Sequence, residues 1–249
     1  MPIPSSPILA ACVLLAFVAG LVRGYGGFGY SMTAVTGMSL VLEPVALVPA
    51  VILLEIAASG LLIVRVWRQV DWKALGRLSA GMIVTTPAGA FLLATVPAAP
   101  MTIAIAVAVM ALAAMMRMGF ALKRRPGAAA TVGVGMLSGL LNGGGAIGGP
   151  PVVLFFFSSP AGAAISRASL IAYFLGTDLI AAGVLTGMGV MTREALRLAA
   201  VMLIPTTAGV LCGARMFQNA SEQNFRRRVL SVLIVLSAVA VIKATVTAH

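Results

Sequence analysis

Gly135-Met136-Leu137-Ser138-Gly139-Leu140-Leu141-Asn142-Gly143-Gly144-Gly145-Ala146-Ile147-Gly148-Gly149-Pro150-Pro151 lies inside an apolar stretch, 130–165, that carries no charged residue. In a helix interior each glycine costs about 1 kcal/mol and each proline about 3 kcal/mol, so this run has to open the backbone partway along the stretch. A second interruption, Arg23-Gly24-Tyr25-Gly26-Gly27-Phe28-Gly29, sits in the apolar segment 8–42. The two align. Gly20-Leu21-Val22-Arg23-Gly24-Tyr25-Gly26 corresponds to Gly139-Leu140-Leu141-Asn142-Gly143-Gly144-Gly145, about 119 positions later.

Around these breaks the composition leaves one solvent. Of 249 residues, 61% are hydrophobic and 9% charged, where a soluble domain carries about 25% charged residues. The mean hydropathy is +1.09. A hydrocarbon core about 30 Å thick takes roughly 20 apolar residues per helix. That ruler predicts six uninterrupted spans near 44–64, 76–95, 99–119, 169–189, 196–216 and 228–246, besides the two broken segments. The net charge of +11 does not point to nucleic acid. Its Arg and Lys residues stand at the ends of apolar segments, as in Lys123-Arg124-Arg125-Pro126, rather than on one face with aromatics. Cys12 and Cys212 have no disulfide or metal spacing, and the one histidine is His249, so no metal site or cofactor is expected. The first twenty residues lack a basic leader and carry Pro2, Pro4 and Pro7, which reads as a retained helix rather than a cleaved signal.

The correspondence continues past the breaks. Glu55 and Asp178 fall in matching spans, Ala74-Leu75-Gly76-Arg77-Leu78 resembles Ala195-Leu196-Arg197-Leu198, and Thr85-Thr86-Pro87-Ala88-Gly89 resembles Thr206-Thr207-Ala208-Gly209. We expect an all-α integral membrane protein, a single membrane domain over 1–249. It has two homologous halves, about 8–122 and 128–247, each a glycine-broken segment plus three transmembrane helices. If each broken segment returns to the side it entered from, the halves are inverted. Thirteen Arg and Lys then share one side, with Arg193, Arg197 and Lys243 opposite; if each crosses, the split is eleven to five. The positive-inside rule favours inverted repeats.

Unwound backbone at membrane depth is tolerated where protein buries it or where it lines a cavity. Two breaks in register therefore predict a central binding site, in which half-helix N-termini present N–H groups to an anion. The competing reading is close helix packing through small residues. Candidate substrate-binding residues are Arg23, Gly24, Tyr25, Gly26 and Gly27 in the first break, and Asn142, Gly143, Gly144, Gly145 and Pro150 in the second. Arg23 can clamp an oxyanion bidentately or snorkel to an interface; Asn142 holds the equivalent place. Glu55 and Asp178 lie near the middle of apolar spans, where ionisable groups are functional candidates. They read as proton-coupling carboxyls, or as structural partners of Arg23 and Arg167. Tyr25 and Tyr173 offer hydroxyls to a cavity or simply pack.

With these residues in place the chain resembles the sulfite exporter TauE/SafE family of membrane permeases, also described as toluene sulfonate uptake permease-like, over nearly its whole length. The resemblance rests mainly on 135–150, similar to the family's Gly-x-x-x-Gly…Gly-Gly-Gly…Pro signature; in the first half Tyr25 and Phe28 interrupt the glycine run. It implies secondary transport, usually export, of a small anion such as sulfite, sulfoacetate or a sulfonate, driven by an ion gradient. Protons or sodium are the candidate coupling ions, and the place is a cell inner membrane, crossed several times. A homo-oligomer is compatible with this.

Rival readings are a passive anion channel, an intramembrane enzyme and a scaffold. The enzyme reading lacks an internal His, a metal-ligand cluster and the Gly-x-Gly-Asp pattern of intramembrane aspartyl proteases, since Asp178 follows Gly176-Thr177. The scaffold reading leaves the paired breaks and buried carboxyls without a role.

Overall fold

In this computed structural model the described residues are 6–38, 42, 44–95, 110, 114, 118, 126–145, 149–187, 189 and 191–246, some of them by backbone alone. They are helical throughout, with no strand among them. In chain order the helices are α1 (Ser6–Gly26), α2 (Tyr30–Met38), α3 (Pro44–Val66), α4 (Trp72–Thr95), α5 (Ala128–Gly145), α6 (Gly149–Ser158), α7 (Ala163–Gly187), α8 (Arg193–Gln218) and α9 (Glu222–Val246), with a 3-10 turn over Trp67–Gln69. The expected span 99–119 and the basic stretch 123–125 lie outside the described residues.

Most helices begin several residues before the apolar ruler places them. The ruler marks only hydrocarbon, whereas α4 and α8 each begin with a polar turn held by a cap. Thr192 caps α8, accepting from the Ala195 N–H at 3.2 Å. Asp71 does the same for α4, accepting from the Ala74 N–H at 3.0 Å. Ile8–Gly26, Leu47–Gln69, Ala163–Gly187 and Arg193–Gln218 are long and apolar enough to cross a membrane. Their outward faces are apolar too: Leu14, Val64 and Ile204 are 63%, 82% and 78% exposed, a surface that suits lipid and not water.

The first expected break is present. α1 ends at Gly26, and Gly27 and Gly29 take φ of 78° and 87°, the left-handed region that glycine enters at little cost. α2 then starts at Tyr30. In the second broken segment α5 ends at Gly145 and α6 begins at Gly149 with Pro150 and Pro151 in its first turn, where proline's missing N–H costs nothing; residues 146–148 lie outside the described residues.

The helices gather into two compact units, and neither unit is one half of the chain. The first unit takes α1, α2, α3, the C-terminal part of α7, and α8; the second takes α4, α5, α6, the N-terminal part of α7, and α9. In the first, α1 packs along α8. Gly20 and Gly24 sit against the α8 backbone at Thr206 and Val210, while Gly209 and Gly213 sit against α1 at Phe17 and Leu21, with no room for a Cβ at any of the four. Cys12, Ala16 and Ala19 join Ala195, Ala199 and Met202 in the core behind this seam, with Tyr30 and Leu54.

The second unit repeats the device. α4 packs along α5, Gly81 meets the α5 backbone at Val132, and Gly135 and Gly139 meet α4 at Leu78 and Met82. The Thr85 hydroxyl crosses the seam to donate to the Met136 carbonyl at 2.6 Å. Close backbone approach through small residues is the usual way helices associate where lipid offers no hydrophobic drive. α6 is buried through Phe155, Phe156 and Phe157, and the Phe157 ring lies 5.6 Å from that of Phe225 on α9.

Candidate functional site

The first unit surrounds one buried cation. Arg23, four residues before the break, has 0% exposure, so the interface-snorkelling reading does not hold for it. A guanidinium carries five N–H donors and no acceptor, and in a dry interior each unsatisfied donor is expensive. Nη1 donates to the Gly27 carbonyl at 3.1 Å, freed where the helix opens. Nη2 donates to the Ser59 hydroxyl at 2.6 Å. The Glu55 Oε1 stands 3.9 Å from Nη1, near enough for attraction yet too far for a hydrogen bond. The Phe174 ring closes one face, its centroid 5.1 Å from Cζ. Nε finds no hydrogen-bond partner among the described residues.

Each element brings its residue for a local reason. Ser59 follows Glu55 by four residues on α3, one turn along the same face. Ser31, in the first turn of α2, directs its backbone N–H and its hydroxyl to the Glu55 carboxyl. The N-terminus of the half-helix α2 thus faces a carboxyl of the protein itself. Asp178 comes from the middle of α7, 8% exposed. It lies within the electrostatic reach of both Glu55 and Arg23, and its Oδ2 has no hydrogen-bond partner among the described residues. In the same unit the Tyr30 and Thr206 hydroxyls share a hydrogen bond of 2.8 Å, fully buried, which ties the start of α2 to α8.

Of the residues singled out in the sequence, Arg23, Glu55 and Asp178 thus come together, beside Gly27, whose carbonyl is one of the cation's acceptors. Gly24 faces α8 and serves the helix seam. Gly26 is the last residue of α1, and Tyr25, like Gly26, is buried next to it. Asn142, Gly143, Gly144 and Gly145 form the end of α5 in the other unit, described there by backbone alone, and Pro150 is buried at the start of α6. Tyr173 is buried against Phe174, ring edge to ring face. The sequence reading did not single out Ser31, Ser59, Phe174, Tyr30 or Thr206 for the site. Only Ser59 carried a usable signal there, its spacing from Glu55.

Donors beside carboxyls suit the binding of an oxyanion together with proton exchange. No group of three His, Cys, Asp or Glu that could hold a metal is found among the described residues.

A model of the family described as sulfite exporter TauE/SafE matches residues 12–240, a range that holds every residue of the cluster. The chain belongs to the sulfite exporter TauE/SafE family. No curated protein and no solved structure gives a match to it. Membership of TauE/SafE makes the chain a multi-pass membrane transporter with a small anionic substrate, in keeping with its long apolar helices.

Proposed function

We propose that this TauE/SafE protein is a secondary transporter of a small sulfur oxyanion such as sulfite, sulfoacetate or a sulfonate, exporting it across a cell inner membrane by coupling to an ion gradient. Arg23 is the anion contact, and Glu55 and Asp178 together hold the coupling proton. The observation that carries this reading is a wholly buried guanidinium with an unpartnered Nε, set at an opened helix and flanked by two buried carboxyls. A purely structural Arg would have its donors saturated. A monovalent anion that moves without a proton is driven outward by the inside-negative membrane potential, by about 2.3 kcal/mol per charge at 100 mV.

The reading extends to the second break, where Asn142 and Gly143 to Gly145 are the counterpart of the first and Pro150 opens the half-helix that follows. Two homologous halves are supported by matched seams. Gly20 meets Thr206 across the α1/α8 seam, and Gly139 meets Thr85 across the α5/α4 seam. The helix caps Asp71 and Thr192 stand at equivalent places as well.

The test is efflux of sulfite and of benzenesulfonate from proteoliposomes under imposed pH and sodium gradients. Efflux that follows the pH gradient, and that Arg23→Met abolishes, is expected. Flux indifferent to both gradients makes the protein a passive channel. A dependence on sodium alone moves the coupling role away from the carboxyl pair.

A further inference from the structure

The cluster in the first unit holds one fixed positive charge and two carboxyls, and that inventory restricts what can bind. We infer that Glu55 and Asp178 act as a shared two-place proton store. It holds one proton when the site is empty and two when an anion sits on Arg23, so each monovalent anion bound draws one proton from solution, and a dianion enters only with a further proton on itself, as hydrogensulfite or the sulfoacetate monoanion, which sulfate does not take up near neutral pH. The inference rests on the anion site proposed above and deepens it.

The argument is charge balance. Arg23 does not lose its proton, and a low-dielectric interior does not hold an unbalanced charge without a large penalty. With Arg23 positive, neutrality requires one ionised carboxyl and one protonated carboxyl. The hydrogen bonds say which is which. Glu55 receives Ser31's backbone N–H and hydroxyl and faces the guanidinium, the surroundings of a carboxylate. Asp178 has an oxygen with no donor among the described residues, a costly state for an ionised carboxylate and an ordinary one for a carboxylic acid.

A monovalent anion entering at the Nε edge of Arg23 adds a negative charge. Glu55, ionised 3.9 Å from the same guanidinium, repels a second negative charge there. A proton from the bulk solution onto Glu55 restores neutrality and removes that repulsion. With a divalent anion, even two protonated carboxyls leave one negative charge over. Among the described residues no further charge intervenes: Arg23 from α1, Tyr30 from α2 and Asp178 from α7 are the titratable groups there that act with Glu55. α8, also packed on α3, has its Arg193, Glu194, Arg197 and Arg215 exposed near its ends.

The experiment measures proton uptake with a pH indicator when methanesulfonate, a monovalent probe, is added to the detergent-solubilised full chain in weak buffer. Sulfate is the divalent comparison at the same pH. About one proton per methanesulfonate is expected, with sulfate binding weaker by at least about tenfold. Glu55→Gln and Asp178→Asn, each alone, keep the uptake near one, because the remaining carboxyl supplies the place. Glu55→Gln/Asp178→Asn together bind methanesulfonate with no uptake. Methanesulfonate binding without proton uptake by the wild type overturns the inference and leaves the proposed function standing, as does sulfate binding equally well. Loss of uptake in one single variant overturns the shared store. Should the double variant fail to fold, the wild type and single variants still decide. Absence of binding by methanesulfonate, sulfite and benzenesulfonate alike overturns the proposed function and the inference with it.

Discussion

Replacing Arg23 by methionine keeps most of the side-chain volume and removes the positive charge that faces Glu55 across 3.9 Å. At that distance two unit charges interact by about 4 kcal/mol for an effective dielectric of 20. Breaking a buried pair from one side costs about 3–5 kcal/mol, because the survivor is left uncompensated. The same substitution strands the Gly27 carbonyl and the Ser59 hydroxyl, both of which accept from the guanidinium. The pairwise part is separated by a double-mutant cycle of Arg23→Met, Glu55→Gln and the two combined, followed by unfolding of the detergent-solubilised protein. Arg23→Met alone should be the least stable of the four. Adding Glu55→Gln should recover stability, with a coupling energy of about 2–4 kcal/mol. A coupling below about 0.5 kcal/mol, or a double variant no more stable than Arg23→Met, would mean that Glu55 does not depend on Arg23 and would refute the charge-balance reasoning.

The glycine seams predict opposite signs at two positions. Gly213→Ala drives a Cβ into the α1 backbone at Leu21 and should destabilise by about 1–3 kcal/mol, whereas Gly60→Ala on the exposed face of α3 meets nothing within 4 Å and should stabilise by about 0.5–1 kcal/mol; melting temperatures in one detergent compare them. Tyr30→Phe removes the bond to Thr206 and should cost about 1–2 kcal/mol while also slowing anion efflux, since α2 is then held less firmly against Glu55; unchanged flux would separate that tether from the site. Cys212 is exposed and Cys12 buried, so an apolar maleimide should label Cys212 in the native protein and reach Cys12 only after denaturation, as counted by mass spectrometry.

Much of the first unit's site was legible because its residues violate the composition around them. Arg23, Glu55 and Asp178 are charges in apolar spans, and glycine is costly in a helix, so each stands out. Ser31, Ser59 and Thr206 do not, because a hydroxyl can satisfy itself on its own helix and sits unnoticed in an apolar stretch. Helix starts at α4, α7, α8 and α9 lie three to six residues before the apolar spans, because hydropathy marks hydrocarbon and not hydrogen bonding. Partner choice was the least legible. Gly20 and Gly24, like Gly209 and Gly213, mark a face that needs a close neighbour, but a spacing of four names no partner, and α1 met α8 from the far end of the chain.

That pairing sets a timetable for synthesis. α1 enters the bilayer well before the helix that closes its glycine face, which starts at Arg193, so at a ribosomal rate of about 5–20 residues per second it waits on the order of ten to thirty seconds. During that interval Arg23 has neither Ser59 nor Glu55 until α3 arrives, and the open seam is available to any other helix with small residues. A nascent chain of this kind profits from insertion machinery that shields its early helices, and a truncated product ending before α8 should be cleared by membrane proteases rather than accumulate.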